Sequence, residues 1–145
     1  MNSRLYTLAL RKVGFAPIIM TDFELKLAAL RGQHLSLVNR ENEVSTSNGV
    51  WTRYKYPVLT ADHAPLYWRY DLNPETNPYL LERFGINGTF NAGAIKFNGK
   101  YTLIARVEGN DRKSFFAVAQ SDSPVDGFRF VGKPVVLEGE DATNV

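Results

Sequence analysis

The sequence contains no cysteine, and only two of its 145 residues are histidines. Disulfides, thiolate zinc sites and cysteine nucleophiles are therefore excluded. A metal site built on His34 and His63 is not expected, because the two residues are well separated in the sequence. The chain also lacks any apolar run near the roughly 20 residues that a transmembrane helix needs. Basic runs stop at a dipeptide and the net charge is +2, so neither nucleic acid nor membrane is predicted as a partner.

The composition that remains is that of a globular protein, with 44% hydrophobic and 12% aromatic residues. Residues 1–20 are basic and contain no acidic residue, but their short apolar runs do not form a secretory signal, so we expect a cytoplasmic protein. This stretch is either a variable extension or precedes a true start at Met20. Thr21 and Glu24, directly after Met20, form the T-x-x-E pattern of a helix capping box.

The N-terminal region, residues 1–50, is predicted to contain one helix at about residues 21–39. Phe23, Leu27 and Leu30 fall on one helical face. Gly32 is expected either to weaken or to break this helix, with a continuation after a kink as the alternative to a complete end. The polar residues 39–49 are expected to form an exposed loop. We take residues 51–145 as a second region.

The second region begins with a predicted strand at residues 51–59, which Pro57 ends. Residues 60–78 are predicted to be a long ordered loop. The loop carries His63, Tyr67, Trp68 and Tyr70. Loop aromatics can form a stacking platform in a binding site, but they more often anchor a loop to the core, and we favour the anchor.

Four short strands follow, at residues 90–97, 101–107, 114–120 and 128–131. Asn98-Gly99 is the strongest short hairpin signal available. Four antiparallel strands in about 42 residues match one blade of a β-propeller; a small α+β domain is the alternative. A lone blade should leave aromatic residues partly exposed. The five concerned are Phe90, Phe97, Tyr101, Phe115 and Phe116.

Three stretches carry a family resemblance: RYKYPVLTADHAPLYWRYDLNPETNPYLLERFGIN, FNAGAIKFNGKY and ARVEGNDRKSFFAVAQS. Together they resemble the mannosylglucose phosphorylases of glycoside hydrolase family 130. The resemblance implies an all-β fold, a five-bladed β-propeller preceded by an N-terminal helical extension. The chain would supply the extension, the first blade and the lead-in to the second. Residues 51–145 would thus be the first part of the catalytic domain.

The resemblance also implies an activity, the inverting phosphorolysis of 4-O-β-D-mannosyl-D-glucose to α-D-mannose 1-phosphate and D-glucose. Inorganic phosphate would be the co-substrate, with no cofactor and no metal. The proton-donating Asp is expected just after Val145, so this chain should hold no catalytic residue and be inactive alone. The alternatives are a β-1,4-mannooligosaccharide phosphorylase and a non-catalytic carbohydrate-binding propeller fragment.

Four residues are candidates for substrate binding: Asn91, Arg106, Asp111 and Arg112. Arg106 alternates with apolar residues, and a charge there needs either a partner, a wet cavity or a solvated sheet face. Asp111 either binds sugar or shapes a turn. The resemblance favours binding for all four and places Asn91 in the mannose subsite. Glu108 is expected to support them by pairing with an arginine. The N-terminal helix is a possible contact for a homo-oligomer.

Overall fold

A computed structural model describes residues 6–7 and 19–136 of the chain. This part is mostly β, with one long helix, and none of its helices is long and apolar enough to cross a bilayer. The strands and helices in chain order are β1 (Tyr6–Thr7), β2 (Ile19–Met20), α1 (Asp22–Val38), β3 (Val44–Ser47), β4 (Thr52–Tyr54), a 3-10 turn (Ala61–His63), α2 (Leu66–Arg69), β5 (Ile86–Phe97), β6 (Lys100–Gly109), β7 (Ser114–Ser121) and β8 (Arg129–Phe130).

Helix α1 begins with the predicted capping box. The Glu24 carboxylate accepts a hydrogen bond of 2.7 Å from the Thr21 backbone N–H, and the Glu24 N–H donates to Thr21 Oγ1 at 3.2 Å. The predicted break at Gly32 is wrong, because the helix continues to Val38. One glycine costs about 1 kcal/mol in a helix, and α1 also buries an apolar face. This apolar face packs in a buried cluster formed by Phe23, Leu27 and Leu80.

Two regions predicted to be irregular contain regular structure. Residues 39–49 are not all loop, because β3 pairs antiparallel with β4 in an exposed hairpin. The strand predicted at residues 51–59 is correspondingly short. The predicted loop at residues 60–78 holds the 3-10 turn and helix α2. Both were missed because these short elements have too few residues to show a periodicity.

The predicted four-stranded meander is confirmed. Strands β5 to β8 form one antiparallel sheet in chain order. Asn98 and Gly99 have φ angles of 49° and 79° and connect β5 to β6. Positive φ at both central residues is the requirement of a type I′ hairpin turn. Strand β5 begins at Ile86, four residues before the predicted start.

One face of this sheet is covered and the other is open. The covered face holds the buried core, and Trp68 packs there with its ring centre 5.7 Å from Phe115 and 5.1 Å from Phe130. The anchor interpretation is therefore correct for Trp68. Tyr101 and Phe115 pack on this core as well, so they do not belong to the open face. The buried core residues are Leu103, Ala105, Val107, Ala117, Ala119, Phe128 and Phe130.

The open face lies on the opposite side of the strands. Phe90, Phe97 and Phe116 are 40%, 57% and 46% exposed there. Ile104 also points to this side and is exposed. Three of the five aromatic residues predicted to remain exposed thus share one surface, which we call the open face.

Candidate functional site

A β-bulge lies at Asn91, halfway along the edge strand β5. Phe90 pairs with Arg106 and Gly93 pairs with Ile104, so Asn91 and Ala92 together lie opposite one residue of β6. Bulges end the regular ladder locally and are common next to active sites. The backbone of Asn91 is therefore next to the residue that pairs with Arg106.

Arg106 lies on the open face between two phenylalanines. The strand register pairs it with Phe90 of β5 and with Phe116 of β7. Its guanidinium carbon is 5.0 Å from the centre of the Phe90 ring. Arg106 Nε is buried and has no hydrogen-bond partner among the described residues. A buried donor of this kind normally has an acceptor, so it is available to a phosphate or sugar oxygen.

The turn between β6 and β7 holds Asp111 and Arg112. The Arg112 N–H donates to the Gly109 carbonyl at 3.0 Å, and the Gly109 N–H donates to the Lys113 carbonyl at 2.9 Å. Arg112 has a φ of 67°. Three-residue hairpin loops usually place glycine in this left-handed conformation. The turn therefore carries an arginine where its backbone favours glycine, and strain of this kind often marks a functional position.

Asp111 has a structural contact. Its Oδ1 accepts a hydrogen bond of 3.1 Å from the Lys113 N–H. This contact shapes the turn, which is one of the two roles predicted for Asp111. The side chain of Asp111 is exposed, so a free carboxylate oxygen remains for a ligand.

Glu108 connects the turn to the bulged strand. Its Oε1 accepts a hydrogen bond of 2.8 Å from Asn87 Nδ2 and lies 3.8 Å from Arg112 Nη1. The Glu108 side chain is 16% exposed and that of Arg112 is 83% exposed. The pair itself is weak, since exposed ion pairs contribute little. The hydrogen bond from Asn87 orients the Glu108 carboxylate, which lies within reach of the exposed Arg112 guanidinium.

Of the candidate residues, Arg106, Glu108 and Arg112 are brought close together by strand β6 and the turn that follows it. Arg106 and Glu108 are two residues apart on β6, which is about 7 Å along the strand on one face. Asn91 lies at the bulge beside Arg106, and Arg112 reaches Glu108 from the turn. Asn87 and Phe90 were not among the site residues predicted from the sequence. Asn87 precedes a glycine and resembles a turn residue, whereas Phe90 directly precedes Asn91 and could have been found from that position.

A curated protein provides the comparison with known sequences. The chain is 58% identical to the 4-O-β-D-mannosyl-D-glucose phosphorylase of Bacteroides fragilis. The alignment covers 129 residues, which is 87% of the present chain. The resemblance to the mannosylglucose phosphorylases is confirmed. The chain spans 33% of the length of this phosphorylase. No protein-family profile matches the chain.

The described residues also exclude one kind of site. Within residues 6–7 and 19–136, His, Asp and Glu side chains form no group of three that could hold a metal ion.

Proposed function

We propose that the complete protein containing this chain is an inverting glycoside phosphorylase. It would convert 4-O-β-D-mannosyl-D-glucose and inorganic phosphate into α-D-mannose 1-phosphate and D-glucose. The observation that carries this proposal is the 58% identity to a curated phosphorylase whose name gives this disaccharide as its substrate. The chain would supply about one third of such an enzyme, in proportion to the 33% of the relative that it spans.

The reaction moves one glycosyl group. A phosphate oxygen attacks the anomeric carbon of mannose as the bond from that carbon to the glucose oxygen breaks. The glucose oxygen takes up a proton from a carboxylic acid, which in this proposal is the Asp expected just after Val145. Because attack comes from the opposite side, the β-linkage gives an α-phosphate. Phosphate replaces activated water, so no second carboxylate has to act as a base.

The open face suits the charge requirements of this reaction. Phosphate is best held by arginine, whose planar guanidinium can donate two parallel hydrogen bonds. Arg106 offers a buried Nε donor without a partner among the described residues, and Arg112 offers an exposed guanidinium. We assign these two side chains to phosphate or sugar oxygens. The Asn91 amide and the Asp111 carboxylate are assigned to mannose hydroxyls, and Glu108 supports Arg112.

The proposed fold of the complete protein is a five-bladed β-propeller. The single antiparallel sheet β5 to β8 would be its first blade, and its open face would be covered by other parts of the protein. We also propose that the protein is cytoplasmic and acts on small molecules alone. Helix α1, which leaves Leu35 55% exposed, is the candidate contact for a homo-oligomer.

The test is an assay of the complete protein with phosphate and each of two substrates, mannosylglucose and β-1,4-mannobiose. Release of mannose 1-phosphate from mannosylglucose with the higher kcat/KM supports the proposal. Preference for mannobiose would instead assign a mannooligosaccharide phosphorylase. If sugar binds but neither substrate yields mannose 1-phosphate, the protein is a binding protein and the proposed function is wrong.

A further inference from the structure

We propose that Phe90 is a positioning residue for Arg106, and that Gly88 provides the space that its ring occupies. The inference rests on the proposed function, since it concerns an arginine assigned to phosphate or sugar oxygens. It adds a residue that contacts no reacting atom and acts through the guanidinium.

The strand register fixes the pair. Phe90 and Arg106 are direct partners across β5 and β6, and the regular ladder is interrupted immediately after Phe90. The Arg106 guanidinium carbon lies 5.0 Å from the centre of the Phe90 ring. This separation is within the range of a cation–π contact, which strengthens where water is excluded.

The aromatic contact matters because hydrogen bonding within the described residues does not orient the Nε of Arg106. Its Nε is buried without a hydrogen-bond partner among the described residues. An arginine side chain has many rotamers, so holding one of them costs conformational entropy. A ring against the guanidinium limits these rotamers before the ligand arrives, and the preformed orientation raises affinity for an oxyanion.

Gly88 explains how the Phe90 ring reaches its place. A Cβ atom at position 88 would come within 2.5 Å of Phe90 Cζ and 2.8 Å of Phe90 Cε2. No side chain fits there with the ring in this position. Because the ring is held at one end only, a methyl group at position 88 would turn it rather than unfold the sheet. The position of the ring over Arg106 therefore depends on the absence of a side chain at residue 88.

The first test observes the contact directly and needs no activity. In the complete protein with 15N-labelled arginine, the Nε–Hε resonance of Arg106 is assigned by its loss in Arg106→Lys. Ring current from Phe90 should shift this resonance, so Phe90→Leu should move it more than any other arginine resonance. Phe97→Leu is the matched control, since Phe97 lies on the same strand and the same open face. An unmoved Arg106 resonance in Phe90→Leu would overturn the proposal.

The second test is kinetic. Phe90→Leu should lower kcat/KM for phosphorolysis about 10-fold, the range expected for loss of a partly buried cation–π contact. Phe90→Tyr should restore it, Gly88→Ala should lower it in the same direction, and Phe97→Leu should have no effect. The double variant Phe90→Leu/Arg106→Ala should be no slower than Arg106→Ala alone, because the ring acts only through the arginine.

The outcomes separate the inference from the proposed function. If wild-type protein releases no mannose 1-phosphate, the function is wrong, and the resonance shift still decides the Phe90–Arg106 contact. If wild-type protein is active but Phe90→Leu matches it, the positioning role is wrong. The positioning role is also wrong if adding Phe90→Leu to Arg106→Ala lowers kcat/KM by the same factor as Phe90→Leu does in the wild-type protein.

Discussion

The backbone N–H of Asn42 donates a hydrogen bond of 3.0 Å to the carboxylate of Asp126, 84 residues further along the chain. The Asn42 side chain adds further hydrogen bonds to the same region and to a second one, because its Nδ2 donates to the carbonyl oxygens of Val125 and Tyr56, both at 2.8 Å. Its Oδ1 accepts from the Tyr56 N–H at 3.0 Å. One asparagine thus connects the segment after α1, the end of the exposed hairpin and the turn between β7 and β8.

Asn42→Ala should therefore destabilise the protein by about 2 kcal/mol. The change leaves two partly buried carbonyl groups without donors, and each unsatisfied group costs about 1–3 kcal/mol. Urea unfolding followed by circular dichroism measures the change. Asn48→Ala is the control, since Asn48 Oδ1 accepts only from Val50 and Trp51 within the exposed hairpin. Equal destabilisation by both variants would show that the Asn42 link does not hold the two regions together.

The neutral imidazole of His63 predicts a loss of stability in acid. Burial lowers the pKa of His63 from 6.5 to about 4, and the positive charges of His34 and Arg40 act in the same direction. Its Nδ1 accepts the Thr60 N–H at 3.0 Å, as a neutral ring can. The unfolded chain binds a proton at His63 more readily than the folded chain does. The contribution of the neutral ring to the free energy of unfolding is therefore fully present above pH 6.5 and is lost as the pH decreases from 6.5 to 4.

The loss from His63 should amount to roughly 3 kcal/mol and end near pH 4, where both states are protonated. Urea midpoints measured between pH 4 and pH 7.5 test it. His63→Gln keeps an acceptor for Thr60 without a titrating ring, so its stability should change less over this range. A variant with the same slope as wild type would attribute the acid loss to other groups.

Local signals predicted the sheet and the helix start well, whereas short elements and side-chain contacts could not be predicted. Asn98-Gly99 and the alternation from Tyr101 to Val107 depend only on neighbouring residues. The β3–β4 hairpin has exposed strands, so no buried face leaves a pattern in its sequence. The cross-strand contact between Phe90 and Arg106 depends on register, which a bulge shifts by one residue.

The strained turn residue offers a test that separates stability from activity. Arg112→Gly should leave the turn intact and stabilise the protein by about 1 kcal/mol, because glycine adopts a positive φ without strain. The same variant of the complete protein should lose at least about 100-fold in kcat/KM, since a charge-assisted contact is removed. Thermal melts and phosphorolysis rates provide both measurements. Increased stability with unchanged activity would remove Arg112 from the site.

Arg106→Ala should lower kcat/KM of the complete protein by at least about 100-fold for the same electrostatic reason. Lys113→Ala is the matched control, because Lys113 is exposed next to the same turn and its hydrogen bonds there come from the backbone. It should change kcat/KM by less than about 2-fold, as most surface substitutions do. Equal losses in the two variants would indicate a general effect of positive charge and not a site at Arg106.

The 145-residue chain by itself should release no mannose 1-phosphate and should fold poorly. The open face exposes Phe90, Phe97 and Phe116 to water at 40%, 57% and 46%. Full burial of such a side chain is worth about 1.5–3 kcal/mol. Because these three are about half exposed, the open face forgoes roughly 2–4 kcal/mol, a substantial part of the ~5–15 kcal/mol net stability of a domain. Exposed apolar side chains that share one sheet face also favour association.

Circular dichroism and hydrogen exchange on the purified chain test this expectation, together with the phosphorolysis assay. We expect a broad melt, weak protection across β6 and self-association. Phe97→Thr/Phe116→Thr should reduce the association, because it removes two rings from the open face. Val50→Thr, which changes a 91% exposed residue in the separate hairpin, should not. A cooperative melt with strong protection of Lys100–Gly109, or any release of mannose 1-phosphate, would show that residues 1–145 already form the functional unit.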